Sequence, residues 1–143
     1  MHIPQEREPR RHEVYEAVTS GVRVRVRPEF REDQSDPSNS YYVWLYHVEI
    51  TNTSRESIIL RTRHWVITDA QGRTQEVRGA GVVGEQPILR PGEHFEYTSG
   101  TPLKTPGGFM RGHYEMETES GRRLMVKIPA FSLDSPFAEN RLH

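Results

Sequence analysis

The sequence predicts an all-β fold, an immunoglobulin-like or fibronectin type III-like β-sandwich of seven to eight antiparallel strands. Apolar residues alternate with polar residues in several short runs, as they do on strands with one buried face. Turn-forming residues separate these runs about every ten residues, which is the spacing typical of sandwiches. No stretch of the 143 residues shows extended helical periodicity. Together these observations favour two packed sheets.

Two runs in the first half of the chain carry the clearest strand patterns. Residues 22–27 alternate valine with arginine, and Pro28 is expected to close this strand because proline lacks an amide donor. A polar loop of turn-forming residues follows at 32–40. Residues 42–50 are the most apolar run, so we predict that they form a central strand.

The middle of the chain is predicted to return as two further strands. Residues 57–68 form the first, and a change of their apolar face requires a β-bulge near Arg63 and His64. Residues 69–72 have the composition of a hairpin turn. Residues 73–77 then give a short strand that enters a glycine-rich segment.

The last three predicted strands complete the sandwich. Residues 95–99 place their aromatic side chains on one face, and residues 100–108 are interpreted as a loop. Residues 110–117 and 123–128 show period-two alternation, and Pro129 is expected to end the last strand.

Composition predicts one folded domain at 14–133 between two tails. Residues 1–13 are charged and contain two prolines, so they are interpreted as a disordered N-terminal tail. Residues 134–143 are expected to be a frayed C-terminal tail. The domain is long enough to bury one core.

Charge and composition restrict the compartment and the chemistry. A net charge of −1 creates no global field that attracts nucleic acid or an anionic membrane. The absence of cysteine excludes disulfides and thiol nucleophiles. The sequence shows no signal-peptide pattern. It also contains no apolar run close in length to the about 20 residues that a membrane helix needs. We therefore expect a cytoplasmic protein without membrane insertion.

A glycine-rich segment is the most distinctive motif. Gly79, Gly81 and Gly84 form a G-x-G-x-x-G string, which indicates dinucleotide binding only where a strand enters it and a helix leaves it. Pro87 and Pro91 follow and disfavour that helix. We therefore do not expect a dinucleotide-binding fold, and the string is a connection between strands.

Several segments in a fixed order resemble the ApaG family. They are residues 63–69 with Gly72, 79–87, 91–93, 95–100 and 110–116. The strings GVVGEQP, PGE and YTSG arrive in the expected order, and the resemblance covers roughly 14–131. It implies a fibronectin type III-like fold, a bacterial cytoplasmic setting and an association with cobalt resistance and magnesium efflux. It implies no enzymatic activity, and related domains in eukaryotic proteins resemble binding modules.

We therefore predict a non-catalytic binding module that contacts an unidentified protein partner through this segment. Binding residues tend to lie on loops held by a rigid scaffold, and an exposed Val82-Val83 pair would dock a partner. The candidate contact residues are Gly79, Gly81, Val82, Val83, Gly84, Glu85, Gln86 and Pro87. Residues 100–108 would join them if the sandwich places both segments at one end.

A second hypothesis is that the segment binds a phosphate or pyrophosphate group, or a nucleotide. Consecutive amides can form an anion-binding concavity without a helix, and neighbouring arginines would add charge-assisted hydrogen bonds. The candidate anion-binding residues are Arg78, Gly79, Gly81, Gly84 and Arg90. The competing interpretation, called mechanical below, is that the glycines only allow the backbone to adopt positive φ angles or to pack closely, which is their more frequent role.

No metal site and no cofactor are predicted. His47, His64, His94 and His113 lie on or near four separate strands, and their spacing does not place two ligands on one face. Strands can still bring distant residues together, so a site formed across strands stays open. Partly exposed strand histidines are the simpler interpretation.

Catalysis and nucleic-acid binding are also not predicted. Ser99 lacks the turn of a nucleophile elbow, and Glu115 and Glu117 are interpreted as a solvated face rather than paired acids. The arginines of 22–27 and Arg31 would follow phosphates, but charge on an outer strand also prevents edge-to-edge aggregation.

Overall fold

The computed structural model describes residues 13–139 and contains two antiparallel β-sheets packed face to face. Its elements are β1 (Tyr15–Thr19), β2 (Val22–Phe30), β3 (Tyr42–Asn52), β4 (Ile58–Asp69), β5 (Thr74–Ala80), β6 (Ile88–Leu89), β7 (His94–Leu103), β8 (Gly107–Thr118), β9 (Arg123–Asp134) and the short helix α1 (Pro136–Glu139). The predicted all-β sandwich is therefore confirmed. Of the predicted N-terminal tail, residues 1–12 lie outside the described residues.

The two sheets have simple strand orders. The first sheet has the order β1-β2-β3-β7, and the second has β5-β4-β8-β9, with β6 paired to the start of β4. β9 packs against β1 and β2, so these strands bring the two sheets together along one side. β7 and β5 are the outer strands of their sheets on the other side.

Alternating side chains build the core between the sheets. Val22, Val24 and Val26 are fully buried, as the valine–arginine alternation predicts. β3 pairs with β2 and β7, which confirms its interior position, and Trp44 is 1% exposed. Trp65 of β4 packs on Tyr46 of β3 across the core, with 5.1 Å between ring centroids.

Pro28 does not end its strand, because it lies where the described neighbouring strands do not need the amide donor that proline lacks. β2 continues to Phe30, whereas β1 begins at Tyr15, which lies opposite Val26. The amide of Arg31 donates to the carbonyl of Val43 at 2.8 Å, so by alternation the nitrogen of Pro28 faces away from β3. On that side it lies beyond Tyr15, the first residue of β1, where residues 13–139 provide no partner strand that requires a donor.

Pro129 is likewise accommodated inside β9, which continues to Asp134. The pairing of β8 with β9 shifts between Met110 and Gly112, so this part of β9 lies at a bulge. A bulge on an outer strand tolerates proline, and the predicted end of the strand is wrong for that reason.

The β4 bulge lies at Arg61, two residues before its predicted place. The register between β4 and β8 shifts between Leu60 and Thr62. The carbonyl of Arg61 accepts the amide of Gly81 at 2.8 Å and Nε2 of Gln86 at 2.9 Å. The bulge therefore directs a strand carbonyl toward the glycine-rich segment.

The predicted loop at 100–108 is mostly strand and lies at the opposite end from the glycine-rich segment. β7 runs to Leu103 and β8 begins at Gly107. Thr105 accepts the amide of Ala70 at 3.0 Å, which places this turn at the end of β4. The two segments therefore do not form one surface.

The predicted fraying from residue 134 is not seen over residues 134–138. Ser135 is 1% exposed, and its hydroxyl donates to the carbonyl of Pro106 at 2.6 Å. Phe137 packs against Phe30 and Tyr42 at the edge of the core. Apolar burial by this single aromatic residue explains the order.

Within residues 13–139, no helix has the length and the apolar composition needed to cross a membrane.

Candidate functional site

The segment 79–87, called the glycine hairpin below, is a tight turn rather than an open loop. Val82 and Glu85 exchange both backbone hydrogen bonds, each at 2.8 Å. The two residues between them, Val83 and Gly84, have φ angles of 42° and 81°. Two consecutive positive φ angles in a two-residue connection define the mirror-image turn that joins antiparallel strands.

Close packing requires glycine at position 81 and places Gly79 against the Arg63 side chain. Gly81 has a φ of 61°, and a Cβ atom there would overlap the carbonyl oxygen of Glu85. A Cβ atom on Gly79 would lie 2.7 Å from Nη1 of Arg63. The mechanical interpretation of the string therefore explains these glycines without a ligand.

Arg63 fixes the glycine hairpin to β4. Its Nη1 donates to the carbonyls of Ala80 at 3.1 Å and Gly81 at 3.0 Å, and its guanidinium group lies against Gly79. The carbonyl of Gly81 therefore accepts a hydrogen bond from Arg63, while its amide donates to the carbonyl of Arg61. The turn is therefore held rigidly against the sheet.

Two buried tyrosines lie in the core of the sandwich. The hydroxyls of Tyr97 and Tyr114 share a hydrogen bond between the two sheets. Burial raises the pKa of both phenols, while the positive charge of Arg63 acts in the opposite direction. Burial therefore favours the neutral form of both phenols, which share this hydrogen bond inside the core.

The two valines of the glycine hairpin have opposite environments. Val82 is 0% exposed and belongs to the hydrophobic core, so its predicted exposure is wrong. Val83 is 53% exposed at the tip of the turn. A β-branched residue at positive φ is a genuine outlier, since its side chain crowds the backbone. The tip therefore combines an apolar surface with backbone strain.

An open groove of about 640 Å³ adjoins the glycine hairpin. Its apolar lining includes Pro87, Phe95 and Ile88, whose side chain is 63% exposed. Glu85 and Glu93 add carboxylates to the same lining. The full lining consists of Glu85, Pro87, Ile88, Leu89, Gly92, Glu93, His94 and Phe95. Apolar and acidic groups thus occur together in a groove next to the glycine hairpin.

Some of the proposed anion-binding groups are engaged within the protein. The amide of Gly81 donates to Arg61, and Arg78 pairs with Glu76 at 3.2 Å. The amide of Arg90 donates to the carboxylate of Glu93 at 2.9 Å. An incoming phosphate would have to compete with these bonds.

A family model described as the ApaG domain matches residues 32–118, which is more than half of the chain. The chain belongs to the ApaG domain family. It is 62% identical over 128 residues to Protein ApaG of Rhodospirillum centenum, covering 90% of this chain and 98% of that protein. It is 59% identical over 130 residues to Protein ApaG of Parvibaculum lavamentivorans, covering 91% and 100%.

A solved structure supports the same assignment. The crystal structure of an ApaA protein from Bordetella pertussis has a TM-score of 0.78 and 50% identity, and the match covers 85% of this chain and 96% of that one. The glycine hairpin and the β4 residues Arg61 and Arg63 lie within the matched part of the ApaG domain.

Sequence reasoning missed the role of Arg63 and the pairing of the histidines. The signal for Arg63 was its place two residues before Trp65, on the strand face that points inward.

The two histidines form a pair across strands. His64 and His113 lie directly opposite each other on β4 and β8, with ring centroids 5.0 Å apart. Burial lowers the pKa of His113, and His64 lies 3.0 Å from a Glu76 oxygen.

The two glutamates of β8 form structural contacts. Glu115 accepts the hydroxyl of Thr62 at 3.2 Å, and Glu117 accepts Nε of Arg61 at 3.0 Å. Both carboxylates therefore link β8 to the bulged part of β4.

Proposed function

We propose that this ApaG domain is a non-catalytic binding module that docks a protein partner through Val83 and the adjoining groove. The observation that carries the proposal is Val83 itself, an exposed β-branched side chain at a φ of 42°. Backbone outliers of this kind cost about 1 to 3 kcal/mol and cluster at functional sites. Asparagine or glycine would occupy the position without this cost.

The surroundings of Val83 support a contact role. Arg63, Gly81 and the paired backbone of Val82 and Glu85 fix the tip before any partner arrives. A preorganised tip loses little conformational entropy on binding, so its apolar area contributes more fully to affinity. An exposed side chain on a rigid frame is thus well suited to enter a pocket on a partner.

The groove restricts the chemistry of the partner. Ile88 and Phe95 offer an apolar surface, and Glu85 and Glu93 offer negative charge. Charge complementarity then favours a partner segment with an apolar side chain beside a basic one. Side-chain donors at the glycine hairpin are used on backbone carbonyls, since Arg63 donates to Ala80 and Gln86 donates to Arg61, which supports binding over catalysis.

We further propose that the protein acts in the cytoplasm. The association of ApaG proteins with cobalt resistance and magnesium efflux would then act through the docked partner.

The test is capture with matched surface variants. Wild-type protein, Val83→Asn and Val18→Asn are immobilised and crosslinked to proteins of a bacterial extract, and each captured protein is purified for binding measurements. Val18 is 58% exposed on β1 and serves as the apolar control. We expect Val83→Asn to lose a partner that Val18→Asn retains. Equal binding of that partner to all three proteins would overturn the proposal.

The anion hypothesis stays a prediction with less support, because the Gly81 amide and Arg78 already have partners. An amide NMR titration with pyrophosphate at fixed ionic strength tests it. Saturable shifts confined to residues 79–87 would revive it.

A further inference from the structure

Three side chains with metal-ligating atoms converge on the outer face of the first sheet. They are Glu49 of β3 and His94 and Glu96 of β7, and one ligand atom from each lies within 4.8 Å of the other two. The Nε2 atom of His94 lies 3.4 Å from Oε2 of Glu96. Local sequence patterns do not reveal this cluster, because strand pairing joins residues about 45 positions apart in the chain.

The strand register fixes the arrangement. Glu49 lies directly opposite Glu96, and Thr51 lies opposite His94. Like charges placed directly across two strands repel each other. Arg25 is the cation nearest to Glu49 among the ion pairs of the described residues, at 3.9 Å, but its Nε is bonded to Glu16 at 2.7 Å. The pair of glutamates is thus only partly neutralised.

We propose that Glu49, His94 and Glu96 bind a divalent transition-metal ion. Two donors that each lie about 2.1 Å from one tetrahedral ion are about 3.4 Å apart, so the spacing of His94 and Glu96 already fits. Glu49 reaches the same ion after a small rotation of its partly exposed side chain. Water completes the coordination, because His94 and Glu96 are exposed.

The donor set selects the class of metal. One imidazole and two carboxylates suit Zn²⁺ and Mn²⁺, whereas Mg²⁺ prefers ligands that are all oxygen. Bound metal would also remove the repulsion between Glu49 and Glu96. Arg25 would keep its bond to Glu16, so binding requires no rearrangement of the neighbouring strand.

The argument for this site does not rest on the protein-docking proposal, although the two surfaces share His94. Its ligands lie on the sheet surface, and none of them belongs to the glycine hairpin. His94 also contributes to the lining of the adjoining groove, so the metal site would border that groove.

The experiment uses full-length protein without an affinity tag, stripped of metal by a chelator. Mn²⁺ is added at low ratio, and relaxation enhancement is mapped on the amide NMR spectrum; Zn²⁺ affinity is measured by calorimetry. Glu96→Gln is compared with Glu29→Gln, which removes the carboxylate 2.9 Å from His47 on the same sheet. Amide spectra of both variants establish that the fold is intact.

We expect relaxation enhancement centred on residues 49 and 94–96, displaced by Zn²⁺ and unaffected by a large excess of Mg²⁺. Glu96→Gln should weaken Zn²⁺ binding by at least about tenfold, while Glu29→Gln leaves it unchanged. Relaxation spread evenly over the acidic surface, or equal Zn²⁺ affinity in the two variants, would overturn the proposal.

Discussion

Two turns of the molecule share a backbone conformation and differ in one side chain. Ser20 and Gly21 join β1 to β2 with φ angles of 50° and 80°, and Val83 and Gly84 have 42° and 81°. Serine is small and polar and tolerates such a turn better than valine, whose branched Cβ crowds the backbone. Hairpin geometry alone explains the Ser20-Gly21 turn. The Val83-Gly84 turn carries additional backbone strain, because hairpin geometry does not require a valine at this position.

The supports of the two turns differ as well. Gly21 packs against Ser54, where a Cβ atom would lie 3.1 Å from the Cβ of that serine. The Val83 turn is held by Gly81, by the bulged carbonyl of Arg61 and by the guanidinium of Arg63. Strain persists only where surrounding contacts over-determine the conformation, which is what these contacts achieve.

The largest effect is expected from Gly81→Ala. The added Cβ would overlap the Glu85 carbonyl at a φ of 61°, so we predict a loss of about 2 to 4 kcal/mol in the free energy of unfolding. Gly72→Ala is the matched control, because its φ is 84° but no atom lies within 4 Å of the added Cβ. Chemical denaturation of both variants gives the comparison, and equal losses would show that overlap at Gly81 is unimportant.

A smaller loss is expected from Arg63→Lys. An ammonium group cannot reproduce the guanidinium contact with Gly79 or both hydrogen bonds of Nη1, so we predict a loss of about 1 to 3 kcal/mol. Amide NMR shifts should concentrate in residues 79–87 and leave Ser20 and Gly21 unchanged. Shifts spread over both turns would contradict a local supporting role.

The smallest effect, and the one with opposite sign, is expected from Val83→Asn. Relief of backbone strain should raise the free energy of unfolding by about 1 kcal/mol. Ser20→Asn places asparagine in the equivalent position of the unstrained turn, and its effect should stay within about 0.5 kcal/mol of zero. Thermal unfolding of both variants measures the difference, and a destabilised Val83→Asn would refute strain at the tip.

The alternation of apolar and polar residues correctly predicted the strands that have one face buried in the core. The valines of β2 and the aromatic residues of β3 are examples, because period two and burial coincide there. The proline rule failed at Pro28 and Pro129, since the cost of proline depends on whether another strand lies beside it. That neighbour is a property of the sheet and not of the local sequence.

The place of the glycine turn was predicted, but its details were not. The glycine spacing located the turn, yet it does not reveal that Val82 faces the core while Val83 faces outward. Arg63 and the Glu49, His94 and Glu96 cluster depend on register between distant strands. Register is fixed by packing of whole faces, so single residues do not disclose it.

The most direct test of the central claim measures stability and binding on the same Val83→Asn protein. We predict that the free energy of unfolding rises by about 1 kcal/mol while the dissociation constant for the captured partner increases at least about tenfold. A variant that is less stable than wild type, or that binds the partner equally well, would contradict the claim that the strained valine serves binding.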